Sequence, residues 1–359
     1  MKGVSRIIWG VVAVVIVLAV AAAAIVMQKP AAPAAPAAPA APAAPAAAEW
    51  HLTVYAQGVE ESWRAILEEF KKEYPQLKDY TLYVESAGKI SEKFLSEERA
   101  GKHIADVIVA QTIALENALK EGFLLYYEPP NAKDLMQYKF FSSYAKPGYY
   151  YPYRFLVQGI GINTKYIDPN TIKSYKDLLK PEFIEKWQGR IGMADPRYTV
   201  SIELFFFMKE YYGVDFWKEI AKLKPAWESK STVAVDDLAS GKIVVLIGAL
   251  GHLFSETDKP IAFIYPEEGT ILTPVCAAIS KEAPNKEAAK TFVNWLLSKK
   301  GAEMLVKTKG GDPAYPGLSL PGMKPIDKIN IIPQNYTKYY SIPTEIILKE
   351  WAEIFGVRG

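Results

Sequence analysis

From Trp50 to about Leu305, short apolar runs alternate with helix-periodic segments, and this alternation constrains the fold more than any other feature of the chain. HLTVYA (51–56) is strand-like, and Glu60 to Tyr74 then sets Trp63, Ile66, Leu67 and Phe70 at helical spacing. TLYVES, a helix carrying Phe94 and Leu95, ADVIVA, and a helix carrying Leu115 and Leu119 repeat the unit. Successive β-α units predict a mostly parallel sheet, because parallel strands need long crossovers that helices supply. The rhythm restarts at GIGIN. It continues with RIGMA before a helix from Ser201 to Tyr212, and with KIVVLIGA after a helix ending near Ser240. A last unit, PEEGTILTPVCAAISKEAPNKEAAKTFVNWLLSKKGAEML (266–305), reads as a turn, a buried strand and an amphipathic helix closing on a second helix. Parallel strands need both faces covered. Two such runs therefore predict an α/β fold of two doubly wound lobes.

The chain has 359 residues, half of them hydrophobic, which is enough for two domains with cores of their own. Its formal net charge of +2 gives no basic stripe for a phosphate backbone, so nucleic acid is not an expected partner. Cys276 is the single cysteine. No intrachain disulfide can form, and the residue is expected to pack as a small apolar group.

Lys2 and Arg6 precede an uncharged run from Ile7 to Met27. At about 1.5 Å per residue it reaches about 30 Å, the thickness of a bilayer core. An N-terminal transmembrane helix is expected, retained as an anchor because the run exceeds a signal-peptide core, although AVAAAA would suit a peptidase. Positive charge before the span places the N-terminus in the cytoplasm and the remainder outside the cell membrane. Pro30 to Ala48 carries proline at every third position, an extended tether that, at about 3.1 Å per residue, reaches up to about 60 Å. The expected divisions are 1–29 anchor, 30–48 linker, 49–157 with 266–359 as a discontinuous first lobe, and 158–265 as the second.

Open α/β sheets bind ligands beyond the carboxyl ends of their strands, where helix N-termini present unpaired N–H groups. Those ends supply Gln57, Gly58, Ser86, Gly88, Lys89, Gln111 and Thr112 in the first run. Asp195, Arg197, Thr199, Ser229, Ser231 and His252 follow in the second, and Arg154 stands near the end of the aromatic run PGYYYPYRF, Pro147 to Phe155. Small polar residues with recurring Lys and Arg suit an anion or a polyhydroxylated solute. The same Ser and Thr types also cap helices. Arg197 stands between RIGMA and the following helix, where it is expected to meet an anion or else to pair with Asp195 or Glu203.

Enzyme signatures do not assemble. His51, His103 and His252 are scattered, AGKIS lacks the upstream glycine and the hydroxyl of a nucleotide-binding phosphate loop, and GIGIN lacks the third glycine of a dinucleotide fingerprint. No G-x-S-x-G elbow occurs. No catalytic set, metal site or cofactor is expected.

LTVYAQGVEESW, KISEKFLSEERAGKHIADVIVA, GIGINTKYI, WQGRIGMADPR, LASGKIVVLIG and YPEEGTILTPVCAAISKEAPNKEAAKTFVNWLLSKKG, in this order, resemble the extracellular solute-binding proteins of ABC importers. The ferric-iron, phosphonate and sugar-phosphate receptors are the nearest branch by that resemblance, which covers Trp50 to Lys307. It implies a periplasmic-binding-protein type II-like fold whose lobes close on a solute by hinge bending, and delivery of that solute to a membrane permease. It also implies that the last β-α unit returns the chain to the first lobe. The expected partners are a small solute, the permease and the membrane through Ile7 to Met27, with the receptor a monomer.

Departures from the family are equally specific. Ferric receptors carry adjacent tyrosines after the strand that here reads KIVVLIG, and this chain has Ala249, Leu250, Gly251, His252, Leu253 and Phe254. A ferric-binding receptor and an anchored extracellular enzyme remain alternatives to a receptor for an anionic or polar solute. Tyr150, Tyr151 or Tyr153 would wall the cleft if they stack on a sugar; alternating along a strand, they would instead divide between core and surface. After Lys307 the resemblance thins, and a Pro- and Gly-rich tail leads to a last helix over Pro343 to Phe355.

Overall fold

The computed structural model describes residues 49–196 and 199–356. The expected anchor, the whole of the linker and Arg197 lie outside them. Among the described residues no helix is long and apolar enough to cross a membrane.

The first β-α units form as expected. Strand β1 (Trp50–Ala56), helix α1 (Glu60–Glu73), β2 (Leu77–Val84), α2 (Ala87–Arg99), β3 (Val107–Gln111) and α3 (Thr112–Lys120) follow one another, and β1 pairs in parallel with β2 and β3. Helix α1 buries Trp63, Ile66, Leu67 and Phe70, the stripe that its spacing predicts. Short helices α4 (Pro130–Leu135) and α5 (Lys139–Ser142) lead into β4 (Tyr150–Asn163).

Strand β4 corrects the sequence reading, which separates the tyrosine run from GIGIN. The two form one strand of 14 residues, every one buried. Pro152 is tolerated because the register shifts between Pro152 and Arg154 against β9 (Ile271–Ile279). The glycines have a steric reason: a Cβ at Gly159 would stand 2.6 Å from Phe263 Cζ and 2.7 Å from the Ile264 carbonyl oxygen, and one at Gly161 would stand 2.7 Å from Phe254 Cζ.

The chain continues through α6 (Pro181–Trp187), β5 (Ile191–Ala194), α7 (Thr199–Tyr212), α8 (Val214–Lys222), β6 (Ala226–Glu228), α9 (Ser231–Ser240), β7 (Val245–Leu250), a 3₁₀ turn over Gly251–Phe254, and β8 (Ile261–Ile264). Strand β5 pairs in parallel with β6 and β7. After β9 come α10 (Lys286–Leu296), α11 (Lys299–Lys307), β10 (Asp312–Pro313), α12 (Tyr336–Ser341) and α13 (Thr344–Phe355).

The sheet is continuous, in the order β2-β1-β3-β9-β4-β7-β5-β6, with β8 and β10 also paired to β4. Its two ends are parallel, as the β-α rhythm predicts. The middle is antiparallel, since β9 runs against both β3 and β4, and β4 runs against β7. The fold is therefore a mixed α/β fold built on one large sheet. Cys276, fully buried on β9, packs with Tyr55, Ile108 and Leu115, and burial pushes its thiol pKa well up.

Candidate functional site

The strand ends of β1 and β3 meet the middle of β4 through Arg154. Its side chain is buried; Nη1 donates to the Gly310 carbonyl at 2.8 Å and Nη2 to the Gln57 carbonyl at 3.1 Å. Trp63 Nε1 donates to the same Gln57 oxygen at 3.1 Å, and Gln57 Oε1 accepts the Gln111 backbone N–H at 3.2 Å. Gly58 adopts a positive φ of 142°, and a Cβ there would lie 3.1 Å from Trp63 Nε1 and 3.4 Å from Arg154 Nη2. The positive φ and the close approach to the Trp63 indole therefore favour glycine at this turn.

Four residues along β4, Gln158 Nε2 donates to the Val200 carbonyl in the first turn of α7 at 3.1 Å and to Thr273 Oγ1 on β9 at 3.0 Å. Thr273 donates to Glu203 Oε2 at 2.5 Å, and the Tyr336 hydroxyl lies 2.9 Å from that oxygen and 2.9 Å from the Leu272 carbonyl. Tyr340, one turn further along α12, makes a short hydroxyl contact with Thr112 at the start of α3. The polar chain thus runs from the β1 and β3 ends, through α12, to α7 and back to β4.

Five buried polar atoms on β4, α7, β10 and the 3₁₀ turn after β7 have no hydrogen-bond partner: Arg154 Nε, His252 Nδ1, Asp312 Oδ2, Ser201 Oγ and Glu203 Oε1. Most buried polar groups in folded proteins are paired, so these atoms are open to partners from outside the chain. The electrostatics here are unusual as well. Burial, with the Arg154 charge adding to it, holds His252 neutral, its pKa lowered to about 3. Burial raises Asp312 to about 7 against the hydrogen bond from Val157 and the attraction of Arg154. Burial raises Glu203 to about 8 despite its bonds to Thr273 and Tyr336. Both carboxyls therefore carry less negative charge than exposed ones at neutral pH. Among the described residues, no carboxylate stands within ion-pair distance of Arg154. The site holds a buried cation whose donors go to two backbone carbonyls.

Of the residues expected from sequence, Gln57, Gly58, Gln111, Thr112 and Arg154 come together, with His252 within electrostatic reach of Arg154. Ser86, Gly88 and Lys89 do not join them: all three are exposed, and Lys89 pairs with Glu85 at 3.0 Å. Ser229 is exposed and Ser231 is half-buried at the start of α9. Asp195 is buried at the end of β5, where its N–H donates to the Glu228 carbonyl at 3.1 Å. Thr199 opens α7. The tyrosines do not divide between core and surface as alternation along a strand would have them. Tyr151 and Tyr153 are buried, and Tyr150 is buried with its hydroxyl donated to Glu116 at 2.5 Å, bordering a cavity of about 390 Å³ beside Thr112, Tyr336 and Tyr340.

The sequence reading missed Gln158, Thr273, Tyr336, Tyr340 and Asp312 as site residues, and gave Glu203 only as a possible surface partner of Arg197. Glu203 had a signal: it is the lone charge in SIELFFFM, where a carboxylate facing the core needs a reason. Among the described residues no group of three His, Cys, Asp or Glu side chains converges on a metal-sized site.

Residues 102–339 match the family model described as bacterial extracellular solute-binding protein. A spermidine/putrescine-binding periplasmic protein of Haemophilus influenzae is 27% identical over 276 residues, 73% of this chain and 74% of that protein. Iron-bound HitA from Pseudomonas aeruginosa superimposes with a TM-score of 0.69 at 17% identity, covering 85% of this chain and 99% of that one. The periplasmic binding protein AfuA from Actinobacillus pleuropneumoniae, with fructose-6-phosphate bound, does so with a TM-score of 0.67 at 21% identity, covering 86% and 99%. These proteins are solute-binding transport receptors rather than enzymes, and the family match spans most of the described sheet. The chain belongs to the bacterial extracellular solute-binding proteins, the substrate-binding components of ABC transporters.

Proposed function

We propose that this receptor is held at the outer face of the cell membrane by Ile7 to Met27, captures a small anionic solute and hands it to its permease as a monomer. In this reading 49–157 with 266–359 form one lobe and 158–265 the other, hinged where β4 and β9 cross. The solute sits at the Arg154 junction. The observation that carries the charge assignment is the burial of Arg154 without a carboxylate partner. Asp312 attracts this cation without forming an ion pair with it, and burial drives that carboxyl toward its neutral form; the cation is incompletely compensated, and an anion arriving there gains a charge-assisted hydrogen bond.

A second reading has a specific basis. The Haemophilus relative is named for polyamines, and Glu203 and Asp312 offer carboxyl oxygens without partners. Burial favours their neutral forms, and a polyamine would have to ionise them on binding.

Calorimetric titration of the full chain in detergent separates the readings. The panel is a sugar phosphate, an alkylphosphonate, a dicarboxylate, putrescine and spermidine. Binding of one of the three anions with no heat from the polyamines is expected. Saturable polyamine binding alone would replace the anion with a cation, and no binding across the panel would count against both.

A further inference from the structure

The tail beyond α11 does more than cover the surface. Between 275 and 279 the outer edge of β9 pairs with β3, but between 270 and 273 it has no strand neighbour on that side. The tail fills this gap. Thr270 bridges Ile331 in parallel, its N–H donating to the Asn330 carbonyl at 2.9 Å while the Ile332 N–H donates back to the Thr270 carbonyl at 3.0 Å. The Gln334 side chain then acts as a strand would. Its Oε1 accepts the Leu272 N–H at 2.9 Å and its Nε2 donates to the Leu272 carbonyl at 3.0 Å.

From that edge α12 reaches in two directions. Tyr336 bonds to Glu203 on α7 and packs its ring 4.9 Å from that of Phe207, while Tyr340 holds Thr112 at the start of α3. Both grips belong to one helix of six residues. If the ends of α3 and α7 separate, at least one must break. The same stretch, 331–341, is bordered by three cavities of about 390, 400 and 340 Å³. Ile332, Tyr336 and Tyr339 are nevertheless buried in the core, so the segment is held by packing as well as by its directed contacts.

We propose that 330–341 is a brace that ties α3 to α7 across β4 and β9 and biases the receptor toward its closed form. The inference rests on the hinge-bending reading above. A closed-state bias of this kind raises apparent affinity by reducing the population that must close on the solute. Each neutral hydrogen bond removed is expected to shift the equilibrium about two- to tenfold toward the open form.

The test uses the full chain in detergent, spin-labelled at Glu92→Cys on α2 and Lys218→Cys on α8, both exposed. Gln334→Ala and Tyr340→Phe are introduced separately, and Tyr340→Phe, which removes one oxygen, serves if Gln334→Ala does not fold. The expected result is a longer ligand-free interspin distance in either variant, with faster amide exchange at Leu272 in Gln334→Ala. Faster exchange with unchanged distances would overturn the proposal, because the tail would then only seal a sheet edge. Unchanged exchange and distances would overturn it too. A wild-type distance that a solute bound at saturation in the titration does not move would instead sink the hinge reading, and the brace with it.

Discussion

Asp106 Oδ1 accepts the backbone N–H of Asn285 at 2.7 Å, a bond between residues 179 positions apart, while its Oδ2 accepts the Thr53 N–H at 2.8 Å. One carboxylate thereby joins the first strand to the turn before α10. It stands next to the β3–β9 pairing, which brings the late β-α unit back to the strands that opened the sheet. Asp106→Ala leaves the N–H donors of the half-buried Thr53 and Asn285 without this acceptor and is expected to lower stability by about 1–3 kcal/mol, read from the urea midpoint. Asp106→Asn, which keeps one acceptor oxygen, should lose less. A loss below about 0.5 kcal/mol for Asp106→Ala would show that water or neighbours satisfy those donors.

Gly159 predicts a backbone-limited site. The Ile264 carbonyl oxygen lies 2.7 Å from where a Cβ would stand, and a main-chain atom within a paired strand cannot swing aside as a side chain can. Gly159→Ala is expected to cost about 1–3 kcal/mol as the β4–β8 pairing shifts to make room. Thermal unfolding measures it. A neutral outcome would mean that β8 moves freely against β4.

Arg154 supplies both charge and geometry, and two substitutions divide them. Arg154→Lys keeps the charge but loses the fork that spans the Gln57 and Gly310 carbonyls. Arg154→Ala loses both. For the anion identified by titration, the alanine variant is expected to bind about tenfold to hundredfold more weakly, and the lysine variant less so. Equal affinity in all three proteins would move the solute away from this junction.

Much of this was legible. The β-α rhythm gave the strands and the helices that cover them, because burial on both faces imposes long apolar runs and burial on one face imposes helical spacing. The strand-end rule found Gln57, Gln111 and Thr112, since parallel strands deliver their carboxyl ends to one side. It also gathered Ser86, Lys89 and Ser229, which share the residue types but lie exposed. Pairing direction was not legible: nothing in TPVCAAIS distinguishes an antiparallel strand buried on both faces from a parallel one. Nor was the role of the tail. Gln334, Tyr336 and Tyr340 matter through contacts with residues 62 to 228 positions away, and local pattern carries no trace of such partners.

Glu203 makes the last prediction, and its sign follows from proton counting. Burial raises its pKa from the ordinary 4.5 to about 8, so between those values the folded protein holds a proton that the unfolded chain has released. Stability rises with pH only where the unfolded state binds more protons; here it binds fewer. The contribution from Glu203 is therefore complete below about pH 4.5, declines as pH rises and is lost above about pH 8. Asp312, raised to about 7, adds a decline of the same sign, while His252, lowered to about 3, acts in the opposite sense and only below its ordinary 6.5. At about 1.4 kcal/mol per pKa unit, the Glu203 shift corresponds to roughly 3–5 kcal/mol across the window. Glu203→Gln carries no titrating proton and can still accept from Thr273 and Tyr336. Its unfolding free energy should fall less than that of the wild type between pH 5 and 8, with the two curves drawing together toward acid. Parallel curves across that range would mean that Glu203 is ionised in the folded protein at neutral pH, and the neutral carboxyl assigned to the junction would have to be abandoned.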